Sequence, residues 1–154
     1  MHLFNKVIRK LLKKRISVST AESCTGGLLS SCFTSFSGIS KIYSFGLITY
    51  SNKSKCKLLE IPTNYIKKHG AVSNEVAKKM IMNLHKISKS NLCISTTGIA
   101  GPGGGTKFKP VGLVFIGIKF NKKNIILKKI FKGSRKAIQN KTVKCIFKEI
   151  DKLI

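Results

Sequence analysis

The chain has 154 residues, of which 42% are hydrophobic, and a formal net charge of +25 from 30 basic and five acidic side chains. This composition excludes a disordered chain, and the length suits one domain with a core of its own. No apolar run approaches the roughly 18 residues of a membrane helix, and Leu11-Leu12 leads directly into Lys13 without the apolar core of a signal peptide. We therefore expect a single cytoplasmic domain over residues 1–154, with no membrane partner.

The first half of the chain alternates helical and strand patterns. Its first four predicted elements are a helix at 3–14, a strand at 16–21, a helix at 25–36 and a strand at 44–50. The first helix is basic and amphipathic, and we favour a helix that covers a sheet over one that lies on a membrane. Ser51 and Asn52 then provide a helix N-cap, so a short helix is predicted from there to about Leu59.

The second half ends in a hairpin and a long helix. A short helical piece is predicted around Tyr65 and Ile66, and Ser73 is the N-cap of a longer helix with Glu75 in its first turn. The inner face of that helix is predicted at Val76, Ala77, Met80, Ile81, Leu84 and Ile87. The remaining elements are a strand at 92–96, a hairpin of 112–120 and 124–131, and a helix over 134–153 with Ser134 as its N-cap. This order predicts an α/β sandwich with a mixed sheet.

The high positive charge comes almost entirely from lysine. Only three of the 30 basic residues are arginines, and the 27 lysines are scattered through every segment. Proteins that read nucleic-acid sequence use arginine for bidentate contacts and interleave aromatic side chains. The pattern therefore indicates a compositional bias of the whole chain, and we expect no specific nucleic-acid partner. The same field would steer small anionic substrates inward.

The cysteines and histidines do not form a metal-binding pattern. The five cysteines are odd in number and no two have C-x-x-C spacing, so they are predicted to be reduced residues of the core. Only three histidines are present, and none belongs to a Cys/His cluster. We expect neither a metal nor an organic cofactor.

Two glycine-rich turns each follow a short apolar run. The first is residues 20–27 (TAESCTGG), and the second is residues 96–105 (TTGIAGPGGG). Each sequence is typical of a strand that ends in a loop rich in hydroxyls and backbone N–H groups. Because ligands of α/β proteins bind at such strand ends, both turns are predicted to belong to one site.

Ser23 lies in the first turn, where a strand is predicted to break toward a helix. Gly26 and Gly27 allow a tight turn, and the N–H groups that follow can form a pocket for an anion or an oxyanion. Ser23 is then either a nucleophile or the N-cap of the helix, and its position alone favours the N-cap.

A nucleophilic serine in this chain would need a lysine or tyrosine partner. The three histidines and five acids provide no credible Ser-His-Asp set, and Gly-x-Ser-x-Gly is absent. Tyr50 ends the second strand and Lys55 lies about one turn into the next helix, so both can face the sheet edge that carries Ser23. A lysine base must be neutral, and the cations Lys53 and Lys57 together with partial burial are expected to lower the pKa of Lys55.

The second turn and the last helix offer candidate anion contacts. Residues 98–105 match neither the phosphate-loop nor the dinucleotide fingerprint, so a phosphate cradle and a purely structural loop both remain open. Arg135 lies in the first turn of the last helix, where it can hold a phosphate or carboxylate or can form a surface salt bridge.

Six strings together, in this order along the chain, resemble the CinA C-terminal domain family, the nicotinamide-nucleotide amidohydrolases. They are TAESCTGG (20–27), TYSN (49–52), HGAVS (69–73), TGIAGP (97–102), KPVG (109–112) and FKGSR (131–135). The resemblance implies a three-layer α/β/α fold and hydrolysis of the carboxamide of nicotinamide mononucleotide to nicotinic acid mononucleotide and ammonia. It covers the chain from about Leu3 to the end.

The resemblance also implies roles for individual residues. Ser23 falls at the nucleophile, Lys55 at its base and Tyr50 beside them, without a metal or cofactor. The positions implied for the nucleotide substrate are Thr25, Gly26, Gly27, Thr97, Gly98 and Arg135.

Two positions depart from the family pattern. Gln139 stands where a second basic residue is common, which weakens the expected phosphate contact, and Gly103 replaces a polar residue. The alternative interpretation is a non-catalytic relic that keeps the fold and a ligand pocket. The sequence allows a homo-oligomer without determining the oligomeric state.

Overall fold

The computed structural model describes residues 2–154, which form six α-helices, five strands and a short 3-10 helix. The elements in chain order are α1 (His2–Lys13), β1 (Val18–Glu22), α2 (Leu28–Thr34), the 3-10 helix (Ile39–Lys41), β2 (Tyr43–Ile48), α3 (Asn52–Leu59), α4 (Thr63–His69), α5 (Asn74–Ser88), β3 (Leu92–Gly98), β4 (Leu113–Phe120), β5 (Lys123–Ile130) and α6 (Arg135–Leu153). Each predicted element is present in the predicted order.

The five strands form one mixed sheet in the order β2-β1-β3-β4-β5. Strand β1 pairs in parallel with both β2 and β3, whereas β3, β4 and β5 pair antiparallel in sequence. The carboxyl ends of β1, β2 and β3 therefore meet at one edge of the sheet. Both glycine-rich turns begin at this edge, as the sequence predicted.

Helices cover both faces of the sheet, so the fold is the expected α/β/α sandwich. One core cluster joins α1, α2 and α6 to the sheet through residues such as Leu11, Phe33, Ile94 and Phe147. A second cluster joins α3, α4 and α5 to the other face through residues such as Met80. Helix α5 lies close to the sheet at Gly117, where an added Cβ would stand 2.8 Å from the Ile81 side chain.

Local capping signals account for three of the helix starts. The hydroxyls of Ser51, Ser73 and Ser134 each accept a hydrogen bond from a backbone N–H in the first turn of α3, α5 and α6. This removes donors that would otherwise be unsatisfied at a helix N-terminus. All three N-caps were predicted from the sequence.

Helix α2 begins later than the sequence predicted. It starts at Leu28 instead of residue 25, and its N-cap is Gly27, whose φ of 97° is readily adopted only by glycine. Ser23 is thus not the N-cap, because four residues of turn separate it from the helix. The carboxylate of Glu22 takes the capping role from the end of β1.

Three smaller expectations need correction. Strand β1 starts at Val18 and not at residue 16, because the N–H of Ile16 closes the end of α1 by donating to the carbonyl of Leu11. The inner face of α5 ends at Leu84, since Ile87 is 41% exposed. Of the five cysteines, which are all free thiols, only Cys24 and Cys93 are fully buried.

Candidate active site

Lys55 and Ser23 meet at the carboxyl edge of the sheet. The Lys55 amine lies 3.0 Å from Ser23 Oγ and donates a 2.9 Å hydrogen bond to the carbonyl of Thr49. Both side chains are buried, with Ser23 7% and Lys55 1% exposed. The structure thus places an amine within proton-transfer distance of a hydroxyl, as a nucleophile and its base require.

Backbone structure on both sides holds this pair in place. The Ser23 N–H donates to the carbonyl of Thr96 at 3.0 Å, which ties the start of the turn to β3. Helix α3 is fixed at its start by reciprocal hydrogen bonds between Ser51 and Ser54, a capping box. Since Lys55 follows directly, the capping box also sets the direction in which its side chain leaves the helix.

Burial lowers the pKa of Lys55 below the ordinary lysine value, because the ammonium ion loses its hydration. The expected contribution of burial is confirmed, whereas the expected contribution of Lys53 and Lys57 is not, since both are exposed on the outside of α3. The lowered pKa increases the fraction of neutral amine that can accept the proton of Ser23.

Cys24 is the other nucleophilic side chain beside this pair. Burial raises the pKa of its thiol to about 12, so it stays protonated at neutral pH. A protonated thiol is a weak nucleophile, so the chemistry of the site points to Ser23 and not to Cys24.

Tyr50 is brought to the site, but its hydroxyl does not contact the Ser23–Lys55 pair. The hydroxyl accepts a 2.5 Å hydrogen bond from Arg135, and only the backbone carbonyl of Tyr50 is near Ser23 Oγ, at 3.5 Å. A second nitrogen of Arg135 donates to the carbonyl of Gly101 at 2.7 Å. Arg135 thereby joins α6, the second glycine-rich turn and the segment after β2.

The first glycine-rich turn differs from the expected oxyanion pocket. The N–H of Gly26 donates to the carbonyl of Ser23 and that of Gly27 donates to Glu22, so both donors are already used. The Thr25 side chain is buried, and its hydroxyl forms a hydrogen bond with that of Thr96. Within residues 2–154 the Thr25 N–H has no acceptor, which leaves it as the free donor among the three predicted residues.

Thr97 and Gly98 lie at the end of β3 and do line the pocket. The Thr97 hydroxyl donates to the carbonyl of Ala71 at 2.7 Å, so it can present only an acceptor to a ligand. A Cβ on Gly98 would lie 2.7 Å from the carbonyl oxygen of Leu113, and glycine is therefore required by the packing of β3 on β4.

These groups surround an open pocket of about 300 Å³. Its lining combines Ser23, Lys55, Tyr50 and Arg135 with residues of the second glycine-rich turn. The other lining residues are Cys24, Asn52, Ala71, Val72, Thr97, Gly98, Ile99, Ala100, Gly101, Gly103 and Gly104. Arg135 is a cation, Lys55 is a second basic group, and none of the described lining residues is acidic, so the charge of the pocket suits an anionic ligand.

Neither metal clusters nor membrane helices appear in the described part of the chain. No three His, Cys, Asp or Glu side chains among residues 2–154 are grouped as metal ligands. Nor is any helix in this range both long enough and apolar enough to cross a bilayer.

Sequence reasoning did not predict the roles of two residues that hold the first turn. Buried Glu22 accepts three backbone hydrogen bonds at the start of α2, and Gln139 donates a 2.9 Å hydrogen bond to the carbonyl of Cys24. An acid three residues before a predicted helix was a usable signal for Glu22, since the chain has only five acids. No local signal points to Gln139, because it lies 115 residues from Cys24.

A buried serine and lysine in hydrogen-bond contact at the carboxyl edge of a mixed α/β sheet characterise this fold and site, and comparison with known proteins gives the family. The family model of the CinA C-terminal domain matches residues 1–154. The chain belongs to this family.

Relatives with similar sequences are longer proteins. The chain is 44% identical over 148 residues to a putative competence-damage inducible protein of Clostridioides difficile, covering 96% of this chain and 35% of the relative. A protein of the same name from Clostridium botulinum (strain Langeland) is 47% identical over 133 residues, which cover 86% of this chain and 32% of that relative. The chain thus spans about a third of the length of these relatives.

Solved structures show the same fold. The competence/damage inducible protein CihA of Agrobacterium tumefaciens superposes with a TM-score of 0.93 at 34% identity, covering 99% of this chain and 93% of that one. A CinA superfamily protein of Escherichia coli superposes with a TM-score of 0.93 at 26% identity, and the match covers 99% of this chain and 88% of that chain.

Proposed function

We propose that this protein hydrolyses the carboxamide of nicotinamide mononucleotide, giving nicotinic acid mononucleotide and ammonia. The observation that carries the proposal is the 3.0 Å contact between the buried Lys55 amine and Ser23 Oγ. The resemblance of the site strings to the nicotinamide-nucleotide amidohydrolases supports the substrate, and the cationic, acid-free pocket agrees with an anionic nucleotide.

In the first half of the reaction, Ser23 forms an ester with the substrate. Neutral Lys55 takes the hydroxyl proton while Ser23 Oγ attacks the amide carbon, and negative charge develops on the amide oxygen. The Thr25 N–H, which donates to no other group of residues 2–154, is one donor available to that oxygen. As the carbon–nitrogen bond breaks, Lys55 returns the proton to the departing nitrogen and ammonia leaves.

In the second half, water releases the acid. Lys55, neutral again, takes a proton from a water molecule that attacks the ester carbon. The ester bond breaks, the proton passes to Ser23 Oγ, and the carboxylic acid ionises on release. Apart from the substrate, the two halves of the reaction consume only water.

The deciding experiment measures ammonia release from nicotinamide mononucleotide by the wild type, Ser23→Ala, Lys55→Ala and the double variant. Each single variant should lose on the order of a thousandfold or more in kcat, because a nucleophile and its base act as a unit. The double variant should be little worse than either single one.

Lys53→Ala is a matched control, since Lys53 is an exposed lysine of the same helix, and it should keep wild-type turnover. Additive losses in the double variant would show that Ser23 and Lys55 do not act together. A folded wild type that binds the nucleotide but releases no ammonia would instead indicate a non-catalytic relic.

A further inference from the structure

Gln139 contacts the turn that carries the nucleophile, although it belongs to a different layer of the fold. It lies in the second turn of α6, is half-buried, and donates through Nε2 to the carbonyl of Cys24 at 2.9 Å. The turn is otherwise held by β1 and β3, through the Glu22 carboxylate and the Thr96 carbonyl. The hydrogen bond from Gln139 is thus its tether to α6.

The tethered carbonyl belongs to the same peptide group as the Thr25 N–H. In a trans peptide the carbonyl and the following N–H point in opposite directions. A hydrogen bond that fixes the Cys24 carbonyl toward α6 therefore also fixes the direction of the Thr25 N–H. This N–H has no acceptor within residues 2–154, whereas those of Gly26 and Gly27 do.

We propose that Gln139 is a positioning residue for the reaction at Ser23, holding the Cys24–Thr25 peptide so that the Thr25 N–H is available to the oxygen of the substrate amide. The proposal rests on the proposed function. On this proposal Gln139 helps to stabilise the transition state and does not bind the substrate phosphate, because its side-chain amide already donates to the Cys24 carbonyl.

The test replaces Gln139 by Met, which has a similar length but no donor. Removing one oxyanion donor typically costs about 10²–10³ in kcat, and a donor that is only misaligned should cost less. We expect kcat for nicotinamide mononucleotide to fall by about tenfold or more and KM to stay within about twofold. Gln139→Lys should recover most of kcat, because an ammonium group can also donate to the Cys24 carbonyl.

Asn140→Met is the matched control, since it places the same side chain at the next, exposed position of α6. It should leave kcat and KM unchanged. A fall in kcat shared by Gln139→Met and Asn140→Met would assign the effect to the helix and overturn the proposal.

Amide hydrogen exchange provides a readout that does not need activity. Gln139→Met should speed exchange of the amides of residues 23–27 by about tenfold while those of β3 keep their rates, because only the tether of the turn is lost. Unchanged exchange together with unchanged kcat would overturn the proposal. So would a rise in KM confined to phosphorylated substrates, which would make position 139 a phosphate contact.

The two proposals fail in different ways. A wild type that turns over with a Ser23-dependent rate, combined with a Gln139→Met variant of equal kcat, rejects the role of Gln139 alone. An inactive wild type rejects the proposed function and with it the catalytic role of Gln139, while faster exchange in the variant would still establish the tether.

Discussion

Lys55 is the residue whose chemistry depends most on its surroundings. Its amine is buried against Ser23 Oγ and the Thr49 carbonyl, and this burial holds its pKa below the ordinary value. A lowered pKa has opposite consequences for catalysis and for stability at neutral pH. The neutral amine that the proposed mechanism needs forms more readily, but burying the amine opposes folding while the unfolded chain can keep it protonated.

The first prediction at this scale concerns pH. The apparent pKa of kcat/KM should lie below 10.5, the ordinary lysine value, and activity should rise with pH as Lys55 loses its proton. The free energy of unfolding should also rise through the window between the folded pKa and 10.5, because the unfolded state binds more protons there.

Urea unfolding of the wild type and Lys55→Met across that window isolates this contribution from the other lysines. The difference in free energy of unfolding between the two proteins should change with pH. If the difference in free energy of unfolding between the wild type and Lys55→Met stays constant with pH, the folded and unfolded pKa values of Lys55 are equal.

The second prediction concerns Arg135, which supplies the guanidinium at the pocket. Arg135→Ala should raise KM for nicotinamide mononucleotide by the loss of a charge-assisted contact, about 1.5–3 kcal/mol. Hydrolysis of the riboside, which has no phosphate, should change far less. Steady-state kinetics on both substrates tests this. Equal effects would show that Arg135 acts through its hydrogen bonds to Gly101 and Tyr50 instead of through the phosphate.

At the scale of the element, the start of α2 depends on a residue outside the helix. The Glu22 carboxylate accepts hydrogen bonds from the N–H groups of Gly27, Leu29 and Ser30 and from the Ser30 hydroxyl. A carboxylate at a helix N-terminus is favoured both by the free donors and by the helix dipole. Glu22 thus occupies the anion site that the sequence assigned to the substrate.

Replacing this carboxylate should destabilise the protein. Glu22→Gln keeps the side-chain size but turns one acceptor oxygen into a donor that faces other donors. The expected loss is about 1–3 kcal/mol in the free energy of unfolding, measured by urea denaturation. Glu149→Gln is the control, because Glu149 pairs on the surface with Lys152 and should contribute less than about 1 kcal/mol. Equal stability of the two variants would contradict the capping role.

At the scale of the whole molecule, the +25 charge is the dominant property. If it reflects composition alone, binding to DNA or RNA should be independent of sequence and should largely vanish near physiological salt, since it depends on counterion release. Fluorescence anisotropy with two oligonucleotides of different sequence, at low and physiological salt, measures both effects. Tight binding to one sequence at physiological salt would establish a specific nucleic-acid site.

The sequence by itself determined the order of the elements, the mixed sheet and three helix starts, because these depend on neighbouring residues. The N-caps Ser51, Ser73 and Ser134 bond to N–H groups only three residues ahead. The spacing of apolar residues likewise reports which face of an element is buried. The family strings added the candidates Ser23 and Lys55, which periodicity alone would not have selected among 27 lysines.

Only the tertiary structure decided which candidates meet. The contacts that build the pocket join residues 32, 85 and 115 positions apart, namely Lys55 with Ser23, Arg135 with Tyr50 and Gln139 with Cys24. No local pattern encodes these pairs, because each depends on how separate helices pack on the sheet. For the same reason the sequence could not show that Glu22 would use the N–H groups of α2, or that the Thr25 side chain would be buried against Thr96.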